Sequence, residues 1–132
     1  MTAAITAAFA YVAVAFGAGF VLGAIREIWL IPPLGGLLAV AIEAPVILTI
    51  SWIAARRLVA RHRVRSGGPR LVMGAVAFVL LQAAECALGL AFGKSASDQI
   101  AALGEPRGML GLAAQIAFAF LPFFVRHEDP AP

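Results

Sequence analysis

Four stretches of this chain, about 4–30, 34–55, 71–93 and 108–125, are almost free of charge and long enough to cross a bilayer as helices. The hydrocarbon core needs about 20 helical residues, with a range of roughly 17–25. In lipid, every backbone polar group must find its partner inside the protein, so only helices and closed barrels can span. The four stretches lack the alternation of apolar and polar residues that a barrel strand requires, which leaves helices. The composition points the same way. Of the 132 residues, 62% are hydrophobic and 13% charged, with a mean hydropathy of +0.95, whereas soluble domains are about 45–50% apolar and about 25% charged. The expected fold is all-α: one integral membrane domain over 1–132, a four-helix up-down bundle.

The links between the stretches set the orientation. They read "IPPLGG", then a basic segment, then "KSASDQIAALGEPR". Short links imply that consecutive spans are antiparallel neighbours. Six of the ten Lys/Arg residues fall in the second link, at Arg56, Arg57, Arg61, Arg63, Arg65 and Arg70, with no acid among them. The positive-inside rule keeps such a segment in the cytoplasm, so both termini are expected inside, in a bacterial inner membrane. These six arginines are the candidate contacts for anionic lipid headgroups, each Lys/Arg near such a surface contributing about 1 kcal/mol. A partner of this kind accounts for the basic charge without nucleic acid. Trp29 and Trp52 lie near expected helix ends, where aromatic rings favour the headgroup zone. The N-terminus has no basic n-region and its apolar run is too long for a signal peptide. In the third link, Ser97 can cap a short helix ended by Gly104, with Ile100 and Leu103 on one face. The tail "RHEDPAP" is expected to be short and loose.

Within the apolar stretches the exceptions are few, and they are polar. An ionisable group at such a depth is expensive and usually has a partner or a task. With a rise of 1.5 Å per residue, Glu43 lies roughly 13 Å below the outer start of its helix, Glu85 about 12 Å and Gln115 about 10 Å below the outer ends of theirs. Arg26 is shallower, but its long side chain reaches inward. Gln82 lies about one turn below Glu85. Helical spacing puts Arg26 on a face with Gly23 and Gly19, Glu43 with Ala39 and Gly36, Glu85 with Gln82 and Gly89, and Gln115 with Gly111, Gly108 and Ala119. Small residues at such spacing predict close helix–helix contact, which would aim the polar groups into the bundle. Pro45 removes one backbone hydrogen bond and frees the carbonyl of Ala41; Pro122 is expected to bend the fourth helix near its inner end.

Two expectations follow for Arg26, Glu43, Gln82, Glu85 and Gln115. In the first, Arg26 pairs with Glu43 or Glu85, the glutamines bridge, and the network fixes helix register. In the second, the surplus matters: one arginine cannot neutralise Glu43, Glu85 and Glu27 together, and unpaired carboxyls in membranes serve as proton relays and cation sites. Other chemistry finds no foothold. "GKS" at 93–95 lacks the first glycine of a phosphate-binding loop, the position being Leu88. His62 and His127 sit in charged flanks without a second ligand at metal spacing, and no buried histidine is available as a catalytic base. Cys86 reads as a small core hydrophobe. Neither an enzyme, a cofactor nor a metal site is expected.

Three segments, "GAIREIWLIPPLGG", "IEAPVILTISW" and "LVMGAVAFVLLQAAECALG", carry a resemblance over nearly the whole chain to uncharacterised small four-helix membrane proteins of alphaproteobacteria. That resemblance implies the four-helix membrane fold and no activity. The expected role is non-enzymatic: an accessory or self-associating component, as a homo-oligomer or within a larger membrane complex, with a buried Arg/Glu/Gln network. The alternative is a small proton- or cation-coupled transporter or channel using Glu43 and Glu85.

Overall fold

The computed structural model describes residues 2–65 and 67–125; the tail 126–132, with His127, lies outside the described residues. These are helical nearly throughout, with no strand among them. In order they form α1 (Thr2–Ile25), a π-helical turn (Arg26–Leu30), α2 (Ile31–Leu34), α3 (Gly36–Arg61), α4 (Gly67–Ala91), α5 (Ala96–Ala102) and α6 (Pro106–Phe124). Four helical stretches are long and apolar enough to cross a membrane: Thr2–Leu34, Gly36–Arg61, Gly67–Ala91 and Pro106–Phe124. Their outward faces carry Phe9, Val14, Phe20, Val79, Leu90 and Phe124, the surface that lipid, not water, would solvate.

The first link is much shorter than the Pro-Pro pair suggests. Helical backbone continues through Ile31–Leu34, and Gly35 alone, at φ +83°, turns the chain into α3. The wide turn before it has a steric reason. Proline at 32 and 33 has no N–H to give and its ring presses on the carbonyl four residues earlier. Opening one turn relieves this, and the N–H of Ile31 reaches back five residues to the carbonyl of Arg26. The second helix is also longer than expected. α3 runs to Arg61, so Arg56, Arg57 and Arg61 stand on its last turns, with the Arg56 guanidinium 5.7 Å from the centre of the Trp52 ring.

The end of α3 closes as a Schellman motif. The N–H of Val64 donates to the carbonyl of Val59 (3.0 Å) and that of Arg63 to the carbonyl of Ala60 (3.3 Å). Arg63 takes the left-handed conformation, φ 55°, that glycine usually supplies. Val64 and Val59 are both buried, which is the apolar contact that accompanies this motif. α4 ends in the same way, with Gly93 in the left-handed position. The short helix α5 is capped by Ser95, not Ser97. The Ser95 hydroxyl accepts from the N–H of Asp98, and the Asp98 carboxylate accepts from the N–H of Ser95. Ile100 and Leu103 are both exposed.

α1 packs on α3 and α4, and α6 packs on the same two. α3 and α4, consecutive in the chain, are therefore not close neighbours but lie across a diagonal. The main packed core lies toward one end, with Ala39 and Val40 of α3 buried apart from it. Ala4, Ala7, Ala8 and Tyr11 of α1 meet Ala55 and Val59 of α3, Met73 and Ala77 of α4, and Phe118 and Val125 at the end of α6. Gly74 is required here: a Cβ on it would lie 1.8 Å from the carbonyl oxygen of Ala119.

Arg70 belongs to this packed end and corrects the expectation that it meets lipid headgroups. It is 8% exposed. Its Nε donates to the carbonyl of Val64 (2.9 Å) and its Nη1 to that of Val125 (2.7 Å). The guanidinium ties the α3–α4 link to the end of α6, two carbonyls that no helix hydrogen bond satisfies.

Candidate functional site: a polar cavity between the four long helices

Opposite the packed end the four helices part around a cavity of about 470 Å³. Each long helix lines it. α1 and the π-turn contribute Gly19 and Arg26, α3 contributes Glu43 and Ser51, α4 contributes Glu85, and α6 contributes Gln115. The glycines here do not do what their spacing predicts. A Cβ added at Gly19 or Gly111 would meet nothing within 4 Å, and one at Gly23 only an Arg26 nitrogen at 3.6 Å. On this face small side chains leave room instead of bringing backbones together. Close packing does occur at two glycines of the expected faces, Gly89 under the Gln99 side chain and Gly108 under Ala102, and outside them at Gly74 under Ala119.

The five polar residues form two groups on facing walls. On the α1–α3 side, Arg26 Nη1 donates to Glu43 Oε2 in an ion pair between side chains that are 23% and 12% exposed. Arg26 Nε also lies 3.6 Å from Glu27 Oε1, and the Glu27 carboxylate is met from the other side by Arg107 Nη2 at 3.4 Å. On the α4–α6 side, Gln82 Nε2 donates to Gln115 Oε1 (2.6 Å), and Gln115 Nε2 donates to Glu85 Oε2 (2.6 Å). Gln82 stands behind the cavity wall and orients Gln115, which presents its amide to Glu85. Among the described residues no cation forms an ion pair with Glu85.

The floor is an aromatic stack. Tyr11 and Phe118 lie with ring centres 4.2 Å apart and 11° between planes. The Tyr11 hydroxyl donates to the Phe118 carbonyl (2.6 Å). That carbonyl is free because the residue four positions on is Pro122, which has no N–H to donate. Beside the floor, Ser51 is 1% exposed and its hydroxyl has no hydrogen-bond partner among the described residues.

Reading along the sequence finds the polar residues of the walls but not Arg107, Ser51 or the Tyr11–Phe118 floor. Arg107 had a signal: it opens the last apolar stretch on the same side as Glu27. Ser51 and Tyr11 had none, being ordinary residues in apolar helices. Among the described residues no cluster of His, Cys, Asp and Glu could hold a metal ion. A comparison with protein-family models finds none that matches, and comparisons with curated proteins and solved structures find no significant match either.

Proposed function

We propose that this chain is a multi-pass protein of a bacterial inner membrane, a four-helix bundle with both termini and the basic segment in the cytoplasm, and that its cavity is the working site of a small proton- or cation-coupled transporter or channel. One observation carries this reading: Glu85 faces the cavity with an amide as its hydrogen-bond partner and, among the described residues, forms no ion pair. A network that served register alone would gain nothing from a charge left over. Arg26 is taken up by Glu43 and Glu27, so the surplus falls on Glu85. The described residues offer no nucleophile–base arrangement, and the role proposed is non-enzymatic. Arg56, Arg57, Arg61, Arg63 and Arg65 would lie at the anionic cytoplasmic headgroups. The likeness to small alphaproteobacterial four-helix proteins belongs to this proposal and adds no activity to it.

The test is proton movement in liposomes. The reconstituted chain should dissipate an imposed proton gradient, and Glu85→Gln should abolish this. Wild-type liposomes as tight as empty ones would sink the reading. A second reading has its own support. The Arg26–Glu43 pair joins α1 to α3 and the Gln82–Gln115–Glu85 chain joins α4 to α6, as expected of an accessory or self-associating component held in register by polar links. Co-purification in mild detergent with itself or with a larger membrane complex, without proton movement, would favour it.

A further inference from the structure

The walls of the cavity say what kind of solute would suit it, if the transport reading just given holds. Around the rim and floor stand Phe16, Phe20, Phe92 and Phe118, and half of the remaining lining is Leu, Ile, Val and Ala. About 470 Å³ lies inside the range, about 300–1,000 Å³, in which pockets enclose organic molecules. The charge is unbalanced. Arg26, Glu27, Glu43 and Glu85 all line the cavity; even with Arg107, which reaches Glu27, two cations face three carboxylates. The excess is one negative charge, and it sits on the wall opposite the ion pair, at Glu85.

These features discriminate among ligands. A neutral apolar molecule would fill the space but take water from the Glu85 carboxylate and leave it the Gln115 amide with no counter-charge, which is costly. An anion would meet that carboxylate while the arginines are already engaged. An inorganic cation must exchange its hydration shell for several oxygens, six to eight for calcium; the facing wall offers one carboxylate and one amide in an apolar surround. A hydrophobic body bearing one positive charge fits each feature. The charge pairs with Glu85, and aromatic rings attract cations to their faces. Access also fits, since Phe20 of α1 and Phe92 in the turn that follows α4 line the cavity and are 54% and 72% exposed, where a lipid-soluble cation would arrive. The Ser51 hydroxyl, buried and without a partner, is a further polar group on the lining.

We infer that the cavity binds a hydrophobic organic cation, one positive charge on an aromatic or branched apolar body, held by Glu85 with its body among Phe16, Phe20, Phe92 and Phe118.

The experiment titrates the purified full chain in detergent with tetraphenylphosphonium and, in parallel, with tetraphenylborate, which has the same shape and the opposite charge. Saturable binding of the phosphonium is expected, with the borate much weaker. Glu85→Gln should weaken the phosphonium on the order of thirtyfold or more, the effect of removing one partner of a desolvated charge pair, while Glu85→Asp should retain most of the binding. Gly111→Leu places its side chain in open space; it should fill the cavity and abolish binding while the protein elutes as wild type, so the result does not depend on the glutamate variant folding. Equal binding of the two ions, or wild-type affinity in either Glu85→Gln or Gly111→Leu, overturns the inference. Proton movement is measured on the same preparations. Glu85-dependent movement without phosphonium binding overturns the ligand class and leaves the transport reading standing. Phosphonium binding without proton movement does the reverse, and the loss of both overturns both.

Discussion

Arg70 and Arg26 show two different uses of one side chain. The Arg70 guanidinium is spent on backbone carbonyls at the packed end, and Arg26 is spent on carboxylates at the cavity. Arg70→Met should leave the carbonyls of Val64 and Val125 without that donor, at a cost of about 2–3 kcal/mol, the range for hydrogen bonds to charged groups and for buried groups left unpaired. Unfolding in a denaturing detergent titration reads this out, and a stability equal to wild type would contradict the clamp. Arg63 gives the opposite sign. An L-residue in the left-handed region costs roughly 1–2 kcal/mol, so Arg63→Gly should stabilise by about 1 kcal/mol after the greater chain entropy of glycine is set against it. For the ion pair, Arg26→Ala and Glu43→Ala should each destabilise toward the low end of the about 3–5 kcal/mol typical of broken buried pairs, because Arg26 is 23% exposed. The double variant should lose clearly less than the sum; strict additivity would show that the two do not interact.

Among the elements, the π-turn has the most to say about how much can be read from a sequence. Four apolar stretches and the polar residues within them are legible, because hydropathy and charge survive any change of packing. What becomes of the Pro-Pro pair is not: proline stops an α-helix by its missing N–H and its ring, but here the backbone widens by one residue per turn and carries on. The close contacts expected at Gly19, Gly23 and Gly111 fail for a related reason. Gly19 and Gly74 look alike in the sequence, yet one borders open space and the other touches backbone. Which occurs depends on how far apart two helix axes lie, and that is set by the bulky residues Tyr11, Met73 and Phe118 elsewhere in the core. The diagonal placement of α3 and α4 is also invisible in a link of that length. A test belongs to this scale. Pro32→Ala with Pro33→Ala removes the reason for the wide turn; closing it to an α-helical turn rotates Arg26 relative to α2. The stabilising coupling between Arg26 and Glu43, measured by the same pairwise cycle, should shrink in that background and would be unchanged if the turn had no part in aiming Arg26.

For the whole molecule, orientation is the first quantity to measure. Cysteine introduced by Gly68→Cys or Ser97→Cys in a Cys86→Ser background should report opposite sides of the membrane. Residue 97 should label from outside the cell and residue 68 only after permeabilisation; labelling of residue 68 from outside would reverse the proposed threading. Gly68 suits this use, since a side chain there meets nothing within 4 Å.

The division into a packed end and a hollow end has a mechanical consequence. Tyr11, Met73, Val59 and Val125 are fully buried around the link and Arg70, so that end has little room to move. Beyond the Tyr11–Phe118 stack, the helices part around the cavity of about 470 Å³ and are joined by a few side-chain contacts. Such a body behaves like a pair of tongs with its pivot at the aromatic floor, stiff below and compliant above. Backbone amides of α6 around Gly111 should therefore exchange their hydrogens sooner than those around Phe118, although both lie within one helix, and any solute that fits between the jaws should slow the first set while leaving the second untouched.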